Sequence, residues 1–299
     1  MSSGIKNIKR ICLLDNPKSG TATHANRVKV LFHLIEDCGF CVTWEELTSL
    51  EQTLTVMDAH IESGCDLFVV SGGDGTVRSV AHHLTGRRIP LLIFPAGNEN
   101  LLATELGLQA RPSEALKVIQ QARYKDIDVA HINGLTCIAV AGVGIDAAIV
   151  HLVHCRRKGH INKLNYVWAA IQTLFTYRHT KIDIRIDDRK IDCEKAFALV
   201  GNIPRYGGGF NVFKDAAYDD GFLDITVFRC SNFLQLTSLF IFLVCGKLEK
   251  SSRVEFYKGK NIVMSSPGST LRSQVDGDPG PSLPLNIQVV PAGLRLLVP

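Results

Sequence analysis

An N-terminal α/β domain built on a parallel sheet, followed by a mainly antiparallel β domain, is the fold class that the sequence predicts. Two observations carry the first half. Apolar β-type runs alternate with stretches of helical periodicity, and glycine-bearing loops follow the runs. A third observation carries the second half: beyond about Ala122–Asp128 strands follow one another, with two helical insertions.

Ile8–Leu14 reads as a strand running into Asn16-Pro17-Lys18-Ser19-Gly20, after which Val28, Leu31, Phe32 and Ile35 recur at helical spacing. Phe40–Trp44 is short and β-rich. Asp66–Val70 is a buried strand ending at Ser71-Gly72-Gly73-Asp74-Gly75-Thr76, and Val77, Val80, Ala81 and Leu84 mark one face of the helix that follows. Ile89–Phe94 is another apolar strand, with helix again from Leu101. Repeated strand–loop–helix units give a parallel sheet with helices on both faces, and such sheets bind ligands at the carboxyl ends of their strands.

In the second half, Ile182, Ile184 and Ile186 alternate with Asp183, Arg185 and Asp187, the pattern of a half-buried antiparallel strand. Asp187–Lys190 reads as its turn and Ala196–Val200 as the return strand. Short strands are expected at Leu223–Phe228, Arg253–Tyr257, Asn261–Met264 and Leu271–Val275. Pro279–Pro284 reads as a linker, after which Leu285–Val290 and Leu294–Val298 return to the first domain. The expected division is therefore residues 1–125 with 286–299, and residues 126–285.

With 299 residues, 46% hydrophobic and 21% charged, the chain is no disordered or low-complexity polypeptide. Thirty-three Lys and Arg against 29 Asp and Glu leave +4, too little to indicate a nucleic-acid partner. The polar segment Met1–Lys9 does not read as a secretory leader, and nine scattered cysteines fit a reducing cytosol. A mean hydropathy of +0.12 is high for such a protein.

The Gly72–Thr76 loop is the most informative stretch. Three glycines at a strand-to-helix junction let a phosphate approach backbone N–H groups, and the helix N-terminus adds donors and positive dipole. Asp74 suits a bound Mg²⁺, or else a plain capping role. Asn16–Gly20 and Pro95–Asn100 are two further post-strand loops that would wall the same nucleotide pocket, and no GxxxxGK[ST] loop is present. Cys38 and Cys41 have CxxC spacing, with Cys65 further on. Lacking a second ligand pair, they read as buried, inert thiols. His151, His154, Cys155 and His160 share a helix with Arg156, Arg157 and Lys158, which reads as a solvated basic face able to meet anionic lipid. Phe233–Gly246 is too short to span a bilayer and reads as a buried helix, N-capped by Ser231 and closed by Gly246, with lipid contact the rival reading.

These loops, with Pro95–Gly107, resemble the diacylglycerol kinase catalytic-domain family, which includes sphingosine kinases and bacterial lipid kinases. Gly142-Val143-Gly144-Ile145-Asp146, Tyr206–Gly209, Asp219–Asp224 and Val275-Asp276-Gly277-Asp278 follow in the family's order, so the resemblance spans nearly the whole chain. It implies a β-sandwich-like second domain, with ATP and lipid meeting in a cleft between the domains. It implies an ATP site lined by Asn16, Lys18, Ser19, Gly20, Thr48, Gly72, Gly73, Asp74, Gly75, Thr76, Asn98 and Asn100. A structural Mg²⁺ on Asp220 and the carbonyls of Ala217 and Phe222 is implied too, supported by Asp128. Asp278 would be the general base for the lipid hydroxyl, and Asp74 would organise catalytic Mg²⁺. The implied activity is an ATP- and Mg²⁺-dependent lipid kinase of phospholipid metabolism, cytoplasmic and peripheral to the membrane. A homodimer is carried as an expectation that no motif specifies.

The chain departs from the family at Arg78 and Ser79 after the glycine loop, at Asn98 and Leu101 in the third loop, and at Asp278, where Glu is usual. Asp is one methylene shorter, and a misplacement of about 1 Å can cost about 100-fold in rate. Two alternatives stay open: a nucleotide- or lipid-binding module that has lost catalysis, and an NAD kinase, which shares the GGDGT loop.

Overall fold

The computed structural model describes residues 8–19, 22–97, 99–156, 168–169, 172–173, 181–207, 209–267 and 271–299. The chain divides into two compact units, Met1–Ile127 with Ala292–Pro299, and Asp128–Pro291.

The first unit is built on β1 (Arg10–Asp15), β2 (Cys41–Glu46), β3 (Leu67–Gly72) and β4 (Leu91–Pro95). They lie in the order β2-β1-β3-β4, all parallel. β1, β3 and β4 are buried almost throughout, which is why they read as continuous apolar runs rather than alternating ones. The helices are α1 (Ala22–Asp37), α2 (Leu50–Glu62), α3 (Asp74–Leu84), α4 (Leu101–Glu105) and α5 (Pro112–Gln121). Local chemistry sets their ends: the Ser49 hydroxyl accepts the Gln52 N–H at the start of α2, and Pro112 opens α5. From β1 the chain crosses one way to β2, and from there the other way to β3 and β4. The topological switch point, the expected ligand position in such sheets, therefore lies between β1 and β3.

The second unit holds two antiparallel sheets. β7 (Val140–Val143), β10 (Ala196–Gly201), β13 (Leu223–Arg229), β14 (Val254–Gly259), β16 (Arg272–Val275) and β17 (Asp278–Ser282) are ordered β14-β13-β10-β7-β16-β17. Opposing them are β8 (Ile182–Ile186), β9 (Arg189–Cys193), β15 (Asn261–Ser265) and the start of β18 (Leu285–Leu297), in the order β9-β8-β15-β18. β5 (Tyr124–Ile132) pairs with β6 (Leu135–Cys137), and β11 (Arg205–Tyr206) with β12 (Phe210–Asn211). Ala141, Val143, Ala198, Ile225 and Val227 from one sheet share a core with Ile182, Ile184, Ile262, Met264 and Ile287 from the other, so the unit is a sandwich. Among the described residues this unit also carries the helices α6 (Ile145–Cys155) and α7 (Phe233–Val244).

Several sequence expectations are corrected. The turn after β8 is Asp187-Asp188 alone, and its return strand is β9; Ala196–Gly201 pairs with β7 and β13 in the other sheet. Pro279–Pro284 is no linker, because Asp278–Ser282 forms β17 at a sheet edge, where proline's missing N–H is tolerated. β18 is one continuous strand rather than two: Leu285–Gln288 pairs with β15 and Leu296 pairs with Leu91. α7 is capped by Asn232, not Ser231, and buries only Leu236 and Leu239. Cys38 and Cys41 are exposed, not buried, whereas Cys65 is buried as expected. His151 turns inward, with its Nε2 3.0 Å from the Ser273 carbonyl, while His154, Cys155 and Arg156 are exposed. Arg157, Lys158 and His160 lie outside the described residues. No group of three or more metal-ligating side chains occurs among the described residues, and no described helix is long and apolar enough to cross a membrane.

Candidate active site

In the first unit, three loops leave the carboxyl ends of β1, β3 and β4 and are tied together. Asn16 caps the short 3₁₀ turn Pro17–Ser19, its Oδ1 accepting the Lys18 N–H at 3.0 Å. Its Nδ2 donates to Thr76 Oγ1 at 2.8 Å, bridging the switch point. Ser19 Oγ lies 3.4 Å from the same hydroxyl, and Lys18 is exposed. Asn16, Ser19 and Thr76, three polar side chains drawn from two loops, thus meet at the start of α3.

The next contact joins the second loop to the third. Asp74 does not cap its own helix, where Gly73 holds the cap position. Its carboxylate instead accepts the N–H groups of Asn100 and Leu101 at 2.9 and 2.8 Å, capping α4. Gly73 and Gly97 pack backbone against backbone: a Cβ built on Gly97 would lie 2.8 Å from the Gly73 Cα. Asn100, at φ +48°, closes the third loop on itself, accepting the Gly97 N–H at 2.8 Å and donating to the Gly97 carbonyl at 2.6 Å. Gly75 lies in the first turn of α3. Thr48, just before α2, bonds through its N–H to Gln52 Oε1 at 3.1 Å and, among the described residues, reaches none of these loops by a hydrogen bond. Gly20 and Asn98 lie outside the described residues.

Beneath the loops is a buried polar chain that the sequence reading missed. Ser71 Oγ donates to Asp15 Oδ1 at 2.6 Å and lies 2.9 Å from His24 Nε2. Burial pushes the Asp15 carboxyl up and the His24 imidazole down, which favours a neutral histidine. An Asp closing one strand, a Ser closing the next and a His on α1 were each visible, but only the parallel register of β1 and β3 sets Asp15 beside Ser71.

In the second unit, Asp276 and Gly277 form the two-residue turn between β16 and β17, with Val275 opposite Asp278. Both turn residues have positive φ, +49° and +82°, as a type I′ hairpin requires. The buried Asp276 carboxylate accepts the N–H groups of Ile138, Ala139 and Val140 at 2.8–3.0 Å, so its part is structural. Asp278 begins the next strand, half-buried. Gln274 braces the same turn: its Oε1 accepts the Gly277 N–H at 2.9 Å, and its Nε2 donates to Asp146 Oδ2 at 2.8 Å. Tyr206 OH also donates to Asp146, at 3.3 Å. Burial raises the Asp146 carboxyl to about 6 despite these bonds.

Asp128, buried, accepts the Gly221 N–H at 2.6 Å, and its own N–H reaches the Tyr218 carbonyl at 2.7 Å, so it holds the Tyr218–Gly221 loop. Asp126 instead forms a two-pronged ion pair with Arg295, at 2.7 and 2.9 Å. Asp220 accepts the Phe222 N–H at 3.0 Å and the Lys258 ammonium at 2.7 Å. Lys258, directly across the ladder from Asp224, also donates to the Asp215 carbonyl and stands 3.7 Å from the Asp224 carboxylate. Burial pushes Asp224 up to about 7. An ammonium group thus holds the Asp220 carboxylate that the resemblance assigned to a structural metal. One oxygen of that carboxylate accepts the Phe222 N–H and the other the Lys258 ammonium, an arrangement that suits an ion pair rather than a divalent ion.

Comparison with known proteins bears on this geometry. Residues 10–132 match the diacylglycerol kinase catalytic domain, and residues 139–298 match the YegS C-terminal NAD kinase beta sandwich-like domain. The chain belongs to the diacylglycerol kinase family of lipid kinases. It is 28% identical to a diacylglycerol kinase of Mycobacterium tuberculosis, over 98% of this chain and 96% of that one. A diacylglycerol kinase of Staphylococcus saprophyticus is 23% identical, over 97% and 96% of the two chains. The fold is shared with a crystal structure of a diacylglycerol kinase from Bacillus anthracis, at a TM-score of 0.75 and 21% identity over 97% of each chain. Membership in a kinase family implies ATP use and a lipid substrate.

Proposed function

We propose that this protein transfers the γ-phosphoryl group of ATP to the hydroxyl of a lipid alcohol, with diacylglycerol as the first acceptor to test and sphingoid alcohols next. The convergence of the Asn16–Ser19, Gly72–Thr76 and Gly97–Asn100 loops at the switch point of the first unit carries this reading. On this reading the first unit is the nucleotide-binding domain and the second the lipid-substrate domain.

Phosphoryl transfer is mostly positioning and charge neutralisation. The Gly72–Thr76 backbone and the N-terminus of α3 would receive the phosphates, with Asn16, Lys18 and Ser19 alongside. Asp74, a carboxylate among the phosphate-facing loops, would hold the Mg²⁺ that accompanies ATP. That ion would offset phosphate charge. Asp278 would take the proton of the lipid hydroxyl as its oxygen attacks the γ-phosphorus, the bond to the β-phosphate oxygen breaks and ADP leaves. Asp276, Gln274 and Asp146 would act as positioning residues by fixing the turn from which Asp278 projects. A cytoplasmic enzyme of lipid metabolism would meet this substrate at the membrane surface.

The test is incubation with γ-labelled ATP and a panel of lipid alcohols, with NAD as the control acceptor. The reading expects label in the lipid fraction, strongly reduced in Asp74→Ala. Label in NADP instead, or no labelled lipid at all, contradicts it.

A further inference from the structure

Ten large apolar side chains are exposed among the described residues, and five of them, Phe233, Leu234, Phe240, Ile241 and Val244, belong to the twelve-residue helix α7. At about 100° per residue these five fall within an arc of about 120°, turned away from the buried Leu236 and Leu239. Leu234 is 78% exposed, Ile241 57% and Phe240 56%. The helix ends are fixed: Asn232 Oδ1 accepts the Gln235 N–H at 3.0 Å, and Gly246 follows the last turn at φ +63°. The apolar face therefore belongs to a well-capped helix, not to a frayed end.

Charge indicates what covers it. α7 carries no charged residue, and the segment after it presents exposed Lys247, Lys250 and Arg253 against one exposed acid, Glu249. A helix with an apolar outer face beside a cationic cluster suits the headgroup–acyl boundary of an anionic bilayer. It suits a second copy of the chain less well, because a two-fold contact would bring this cationic patch against itself with no excess of acid. Twelve residues extend only about 18 Å, so the helix would lie in the interface rather than cross it.

We infer that the exposed face of α7, with Lys247, Lys250 and Arg253, seats the protein on an anionic membrane surface. The inference rests on the lipid-kinase reading for a substrate that resides in a bilayer, and it assigns the docking element.

The test is co-sedimentation of the full chain with phosphatidylcholine vesicles, with and without phosphatidylserine. The proposal expects binding to the anionic vesicles. Leu234→Ser combined with Ile241→Ser should lower it by at least about tenfold, since both side chains leave water on insertion. Lys247→Gln with Lys250→Gln should lower it about 30-fold on anionic vesicles only. The four positions are exposed, so melting temperature and phosphorylation of a short-chain, water-dispersed diacylglycerol should stay at wild-type values in both variants. Unchanged vesicle binding by the Leu234/Ile241 variant overturns the proposal. So does a wild-type dimer that this variant renders monomeric while vesicle binding is absent. Binding that follows the proposal in a protein that phosphorylates no lipid supports the seat and refutes the kinase reading.

Discussion

Gln274 donates from Nε2 to Asp146 Oδ2 over 2.8 Å, and with its other amide atom it holds the Gly277 N–H in the turn before Asp278. A carboxyl raised by burial is thus wired to the turn that carries the proposed base. The Asp146 carboxyl titrates near 3.8 when exposed and near 6 in the folded protein. Below both values each state holds the proton. Between them the unfolded chain ionises first, so this group makes stability fall as pH rises from about 4 to about 6, then level off. At about 1.4 kcal/mol per unit, the fall is about 3 kcal/mol. Asp146→Asn, which retains an acceptor for Gln274, should remove that slope relative to wild type in urea titrations across the window. An unchanged slope would show that Asp146 is ionised in the fold.

The contact between Gly73 and Gly97 allows no side chain. A Cβ on Gly97 would lie 2.8 Å from the Gly73 Cα and 3.0 Å from Asn100 Oδ1, so the second and third loops must part. Gly97→Ala should weaken binding of a non-hydrolysable ATP analogue about tenfold, in line with the roughly 1–3 kcal/mol typical of overpacking. Calorimetric titration reads the change, and wild-type affinity would separate this contact from the nucleotide site.

From β14, Lys258 ties down the Asp215–Asp224 loop by donating to the Asp215 carbonyl and the Asp220 carboxylate. Lys258→Met leaves the buried Asp224 without its facing ammonium and should cost about 1–3 kcal/mol at neutral pH, measured by chemical denaturation. Because the ammonium holds the Asp220 carboxylate, Mg²⁺ should leave the wild-type melting temperature unchanged in the absence of nucleotide. A rise on adding Mg²⁺ alone would mean that the ion displaces Lys258.

The three loops of the candidate site were legible because glycine and polar clusters directly follow apolar strands, and the parallel register then brings their ends together. Side chains that meet only through that register were not legible. Nothing in the sequence places Lys258 opposite Asp224, or His24 beside Ser71. Prolines 279, 281 and 284 signalled a linker because the edge position that tolerates two of them in β17 is a property of the assembled sheet. The Arg189-Lys190 pair reads as part of the turn in sequence, whereas both residues are exposed members of β9 and the turn is Asp187-Asp188. A helix this rich in apolar residues is ordinarily buried, and α7 departs from that rule on one face. Some of the high mean hydropathy noted from composition is therefore surface.

The most direct test measures two quantities on wild type and Asp278→Asn: transfer of labelled γ-phosphate from ATP to diacylglycerol, and affinity for a non-hydrolysable ATP analogue. The lipid-kinase account predicts labelled lipid from wild type and a fall in kcat of about 100- to 10,000-fold in the variant, the range for loss of a general base, with analogue affinity unchanged. No labelled lipid from wild type, or an Asp278→Asn variant that turns over at the wild-type rate, would contradict it.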